Sequence, residues 1–219
     1  TYGSGSTGEI VVGIAQAASN YQIEMYFASA IRPNITVNDH NFVIGNVVDH
    51  KLHALRSRIF GMQGTGSYLA TKKLLKWVDD IKPDIIHLHN IHNNYINTKL
   101  LFEYIISKRI PTVITLHDCW FFTGKCCHFL YDNCSKWITG CGNCPRQRKE
   151  IPSYFFDKSA IEFSKKRKLI GENPYVHVVG CSRWITSCAS KSLLKNRIEG
   201  TIYNGVDLNI FKPSKNKVR

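Results

Sequence analysis

The sequence predicts an α/β fold, a Rossmann-like doubly wound parallel sheet that carries a cysteine-rich loop insertion. Two observations predict it. Short apolar runs of strand length, DIIHLHN, PTVITLHD and YVHVVGCS, alternate with longer segments of helical period. Strands alternating with helices imply a parallel sheet covered on both faces. Unusual polar residues also gather just past the carboxyl ends of those runs, which is the ligand edge of an open parallel sheet.

In chain order, SGSTGEIVVGIAQAASN reads as a Gly/Ser-rich loop and then a helix. Ser6 or Thr7 can cap that helix, and Ile10, Ile14, Ala17 and Ala18 share one face. Strands are expected at Ile23–Ser29 and within Phe42–Val48. HALRSRIF and GSYLATKKLLKWVDDI read as helices, the second with Leu69, Leu74, Trp77, Val78 and Ile81 on one side and a stop before Lys82-Pro83. A strand at Ile85–Leu88, a helix through YINTKLLFEYIISKR and a strand at Thr112–Leu116 follow. Beyond the cysteine loop come a basic helix at Asp157–Lys168, a strand at Tyr175–Gly180, a helix in RWITSCASKSLL and a last strand in RIEGTIYNG. No internal repeat or low-complexity segment is present. A Gly-rich loop that enters a helix normally follows the first strand of such a fold. TYGSGSTG has no strand before it, so a preceding strand is expected.

Composition bounds the partners. The 219 residues are 43% hydrophobic and 21% charged, enough for one large domain with a substantial core. The formal net charge of +13 points to an anionic partner: nucleic acid, an acidic membrane surface or a phosphorylated substrate. No apolar run approaches the length of a membrane span, and no export signal is visible at Thr1.

The candidate site residues follow the strands. Gly5, Ser6, Thr7 and Gly8 belong to a Gly/Ser segment whose backbone N–H groups and helix dipole suit a phosphate, although GSGSTG matches neither the P-loop nor the dinucleotide fingerprint. His89, Asn90 and His92 follow one strand, His117 and Asp118 the next, Ser182 the third and Asn204 the last. Imidazoles there can hydrogen-bond sugar hydroxyls or phosphates, or move protons. His87 lies inside its strand and reads as structural.

HDCWFFTGKCCHFLYDNCSKWITGCGNCP holds six of the eight cysteines. Cys126, Cys134, Cys141 and Cys144 can make a four-thiolate structural zinc site, with Cys141 and Cys144 as the close pair and Cys127 or His128 as a substitute for Cys126. Two disulfides and a group of free thiols are the alternatives. Cys119, Cys181 and Cys188 read as ordinary buried thiols.

Taken together, PDIIHLHNIHNNYIN, TLHDCWFFTGKC, CSKWITGCGNCP and NGVDLNIFKP resemble the N-terminal half of bacterial family 4 glycosyltransferases, in the branch that builds extracellular and capsular polysaccharides. The resemblance covers nearly the whole chain. It implies a GT-B fold, in which an acceptor-side domain faces a nucleotide-sugar domain across a cleft. On that basis residues 1–204 are the acceptor-side domain, with the cysteine loop at 119–145, and residues 205–219 begin the linker to a nucleotide-sugar domain that the chain lacks. It further implies retaining transfer from a nucleotide-sugar to a glycan or lipid-linked acceptor, without a catalytic metal. The Gly/Ser loop would lie near the donor diphosphate and His117 near the transferring sugar, while His89, Asn90, His92 and Asp118 would shape the acceptor side. A cytoplasmic protein is expected, peripheral on the inner face of the membrane, with the helix KSAIEFSKKRKLI meeting anionic lipid. This half alone should not turn over. Lys125 stands where the family usually has His. The rival readings are a basic zinc-containing nucleic-acid-binding module, whose Trp120, Phe121, Phe122 and Trp137 would stack on bases, and a non-catalytic carbohydrate-binding domain. The reading adopted excludes nucleic acid as a partner, because the basic residues are dispersed.

Overall fold

Every strand pairing is parallel. In the computed structural model, which describes residues 5–30, 40–206, 208 and 211–212, the strands form two sheets. The larger runs in the order β3 (Ile86–Leu88), β4 (Thr112–Leu116), β5 (Val176–Gly180), β6 (Ile198–Thr201). Its register aligns Leu88 with Ile114, and Ile114 with Val178. The smaller pairs β1 (Phe27–Ser29) with β2 (Asn41–Val43). β-Branched residues fill the larger sheet because both its faces are covered. Ile114 and Val178 have no exposed surface, and Val176 has 1%.

The helices are α1 (Gly5–Ser19), α2 (Val47–Phe60), α3 (Tyr68–Ile81), α4 (Thr98–Lys108), α5 (Ser159–Lys166) and α6 (Arg183–Ala189). Four boundaries correct the sequence reading. α1 begins at Gly5, so Ser6 and Thr7 lie in its first turn and do not cap it, and of its expected face Ala18 is buried while Ala17 is exposed. The Gly/Ser residues before Gly5 lie outside the described residues. Val47 and Val48 belong to α2 and not to the preceding strand, because the Asn46 side chain accepts the Asp49 N–H at 3.0 Å and starts the helix there. On α3 the buried stripe is Ala70, Thr71, Leu74 and Val78, one residue round from the expected Leu69, which is 71% exposed. α5 is shorter than expected and runs on into a π-helical turn, Arg167–Gly171. No described helix is long and apolar enough to cross a membrane.

The core lies between the larger sheet and its helices, around Phe102, Ile105, Ile114, Leu116 and Val178. It extends into the segment after β4, where Trp120, Phe121 and Phe122 form a short 3-10 turn and are buried. At this point Gly124 crosses so close to α5 that an added Cβ would run into the Ser159 carbonyl oxygen, a backbone atom.

His53 of α2 is buried between two fixed partners. Its Nε2 accepts the Gly66 N–H at 3.1 Å, so the ring proton sits on Nδ1 and is donated to Ser67 Oγ at 2.9 Å. Burial pushes its pKa down to about 4, since a second ring proton would be desolvated and would break the Gly66 bond.

Two outcomes follow from this packing. Gly124→Ala is expected to lower the free energy of unfolding by about 1–3 kcal/mol, read from urea denaturation midpoints; an unchanged midpoint would refute the contact. For His53 the unfolded chain binds the extra proton below about pH 6.5 and the folded chain only near pH 4, so stability falls as pH drops through that window. The slope from this group is about 1.4 kcal/mol per pH unit at most. Native protein should therefore lose stability on acidification more steeply than His53→Gln, and equal slopes would show that His53 is not the titrating group.

Candidate active site at the carboxyl edge of the sheet

β3 and β4 end side by side, and their carboxyl ends carry the His–Asp–Asn cluster. His89 and His117 face each other across the two strands, with rings stacked at 25° and centroids 5.2 Å apart. His89 Nδ1 and His117 Nε2 are 2.9 Å apart, a hydrogen bond in which one imidazole donates and the other accepts. Such a bond requires the accepting ring to be neutral, and burial favours the neutral state of both. Burial, reinforced by the neighbouring His87 and His117, lowers the His89 pKa to about 3. Burial also lowers His117, against the opposing pull of Asp118. His87 stays in the strand, where its Nε2 meets Thr115 Oγ1 at 2.8 Å and its ring packs 4.2 Å from that of His89, as expected of a structural histidine.

The next pair lies one loop further out. His92 Nε2 meets Asp118 Oδ2 at 2.8 Å, and both side chains are 11% exposed. The other Asp118 oxygen accepts the Trp120 N–H at 2.8 Å. Burial works to raise the Asp118 pKa, but the His92 and Trp120 hydrogen bonds outweigh it and the carboxyl lies below its usual range. Asn90 reaches α1, its Nδ2 donating to Thr7 Oγ1 at 3.4 Å, so the first turn of α1 stands beside the end of β3. Gly5 and Ser6 are exposed there, and Gly8 is buried.

The structure thus brings together Thr7, His89, Asn90, His92, His117 and Asp118. Ser182 follows β5 on the same edge, but its hydroxyl caps α6 by accepting the Ile185 N–H at 3.3 Å. Asn204 follows β6 and is exposed.

Trp120 ties this edge to the rest of the molecule, and nothing in the sequence marks the residue that holds it. The Lys166 ammonium is buried under the Trp120 ring, 3.5 Å from its centroid, and donates to the Trp120 and Thr123 carbonyls at 2.5 and 2.9 Å. The indole N–H goes to Gln63 Oε1 at 2.7 Å. Burial lowers the Lys166 pKa to about 8. Glu162, Phe163 and Lys166 of α5 therefore face inward, so these positions of the basic helix meet neither solvent nor lipid.

All eight thiols of the chain are free, the six of the cysteine loop included. Cys126, Cys134 and Cys141 pack partly buried against the core, and Cys144 is partly buried. Burial pushes Cys126 up to about 12 and also raises Cys141 and Cys144, each raised further by another thiol of the four. Among the described residues, three ligand-type atoms lie within 4.8 Å of one another in a single group, His92, Asp118 and Cys127, and not among these four thiols. Lys125 is no ligand: it is buried, with Nζ donating to the Gln147 carbonyl and Ser153 Oγ across the base of the loop. Trp120, Phe121, Phe122 and Trp137 are 1%, 1%, 0% and 6% exposed, so the aromatics that would have stacked on nucleic-acid bases are core residues.

No family model matches the chain, and no solved structure matches it. A similarity to a curated protein is significant. The chain is 28% identical over 136 residues to the protein of Escherichia coli strain K12 named as the colanic acid biosynthesis glycosyl transferase WcaC. The match covers 58% of this chain and 32% of that protein, so the chain spans about a third of the relative's length. The chain is thus a distant relative of a protein named as a glycosyltransferase.

Proposed function

We propose that the chain is the acceptor-side domain, residues 1–204, of a retaining GT-B glycosyltransferase of polysaccharide biosynthesis. It would work with a nucleotide-sugar domain reached through residues 205–219. The observation that carries this reading is the neutral His89–His117 pair at the sheet edge, set beside the exposed start of α1. His89 occupies Nε2 of His117, which leaves Nδ1 of His117 to meet a hydroxyl of the transferring sugar. A neutral imidazole suits that task because it can donate or accept. The N–H groups of the first turn of α1, over Gly5–Gly8, would stabilise the departing diphosphate through the helix dipole. Asn90, His92 and Asp118 would line the glycan or lipid-linked acceptor. Transfer of this kind uses no catalytic metal. A structural zinc on Cys126, Cys134, Cys141 and Cys144 belongs to the same reading and requires those thiols to draw closer than they stand. The basic balance, with Arg167 and Lys168 on the outside of the chain, would hold the enzyme to an anionic cytoplasmic membrane face.

The whole protein supplied with a nucleotide-sugar and a lipid-linked acceptor should transfer the sugar. His117→Ala should lower kcat/KM by about 100-fold, the loss typical of one well-placed transition-state donor. An unchanged kcat/KM in the folded variant would remove His117 from the site. A product of inverted anomeric configuration would overturn the retaining mechanism.

A further inference from the structure

The His92–Asp118 pair has a third member. Cys127 Sγ lies 4.0 Å from His92 Nε2, on the same ring nitrogen that meets Asp118 Oδ2 at 2.8 Å. A Cys–His–Asp relay would place thiol and carboxylate on opposite ring nitrogens, because the imidazole must pass a proton from one side to the other. Here both converge on Nε2, and Nδ1 is buried with no partner. Convergence of a nitrogen, an oxygen and a sulfur on one point is the arrangement of a metal centre and not of a nucleophile with its base.

Asp118 and Cys127 are held from behind. Asp118 is oriented by the Trp120 N–H on its second oxygen. The backbone of Cys127 is fixed on both sides: its carbonyl accepts the Cys119 N–H at 2.9 Å and its N–H is donated to Glu150 Oε2 at 2.9 Å. Arg146 in turn holds the other Glu150 oxygen at 2.8 Å. Carboxylates and backbone groups that orient the ligands in this way are what metal sites show in their outer shell. A second observation points to the same loop. Buried polar atoms without a partner fall on Asn90 Oδ1, His92 Nδ1 and Asn94 Oδ1, within five consecutive residues. Buried orphan groups of this kind mark places where an ion or ordered water completes the bonding.

We propose that His92, Asp118 and Cys127 form a three-ligand site for a borderline divalent transition metal of the zinc class. The mixed nitrogen, oxygen and thiolate set selects that class over calcium or magnesium, which take oxygen ligands alone. On binding, Cys127 gives up its thiol proton to solvent, and the ring proton of His92 resides on Nδ1 so that Nε2 is free to coordinate. Three protein ligands leave the fourth tetrahedral position for water or a hydroxyl of a bound glycan. The ion would join the loop after β3 to the cysteine loop, next to the His89–His117 pair. The inference rests on these residues alone and stands whether or not the chain belongs to a glycosyltransferase.

The test is titration of the chelator-treated chain with cobalt(II). A thiolate-to-cobalt charge-transfer band in the near ultraviolet is expected, with visible bands of tetrahedral intensity at one equivalent. Cys127→Ser should remove one cobalt equivalent and its share of the near-ultraviolet band, and His92→Gln should weaken binding of that equivalent by about 10-fold or more, while Cys141→Ser retains it. A second measurement needs no variant: zinc should protect Cys127 from alkylation, as read by peptide mass spectrometry. Failure to bind cobalt would overturn the proposal. So would a band unchanged by Cys127→Ser, or zinc protection confined to Cys126, Cys134, Cys141 and Cys144, since each places the metal on those four thiols alone.

Discussion

The candidate site hangs on one buried ammonium group. Lys166 donates to the carbonyls of Trp120 and Thr123 and lies beneath the indole ring, so it closes the turn that follows β4. The same turn positions Asp118 through the Trp120 N–H and reaches Gln63 through the indole. A charge taken out of water costs several kcal/mol unless its donors are satisfied. Two carbonyls and an aromatic face offset that cost here, and burial still lowers the lysine to about 8. Side-chain truncation would leave the Thr123 carbonyl without the Lys166 donor and the Trp120 carbonyl with only the 3.4 Å bond from the Thr123 N–H.

The electrostatics of the edge contrast with those of the whole chain. A formal net charge of +13 surrounds a cluster whose central imidazoles are held neutral. Neutral imidazoles interact with a neighbour through hydrogen bonds, while the cations elsewhere on the chain set a longer-range positive field. Neutral imidazoles beside a helix N-terminus form an environment in which a polar, uncharged group such as a sugar hydroxyl is favoured at the imidazoles and an anion is favoured at the helix.

Much of this was legible in the sequence because it is encoded locally. The β4 strand, Thr112–Leu116, falls where its apolar run and flanking residues put it, and β5 is one residue shorter than its run. The placement of His89, Asn90, His92, His117 and Asp118 at one edge follows from the parallel topology alone. What could not be read depends on distant partners. Val47 and Val48 have the residue preference of a strand, yet Asn46 turns them into a helix. Lys166 and Lys125 look like surface cations until the carbonyls that hold them are seen, and these come from segments far along the chain. Cys127 was overshadowed by better-spaced cysteines, because spacing shows only neighbours in sequence and His92 is not one.

The parallel pairing of β4 with β5 has a consequence for how the molecule assembles. Residues 117–175, the whole cysteine-bearing segment included, lie between the two strands. The central pairing of the sheet is therefore a long-range contact, whose closure entropy must be met before its hydrogen bonds can form. The turn at Trp120 and the Arg146–Glu150 and Lys125 contacts within the segment shorten the effective loop if they form first. The order of events would then be local closure of the cysteine segment, docking of β5, and last the completion of β6. A disulfide formed early within that segment would constrain the very loop that must close for β4 and β5 to pair, although the described strands themselves contain no cysteine.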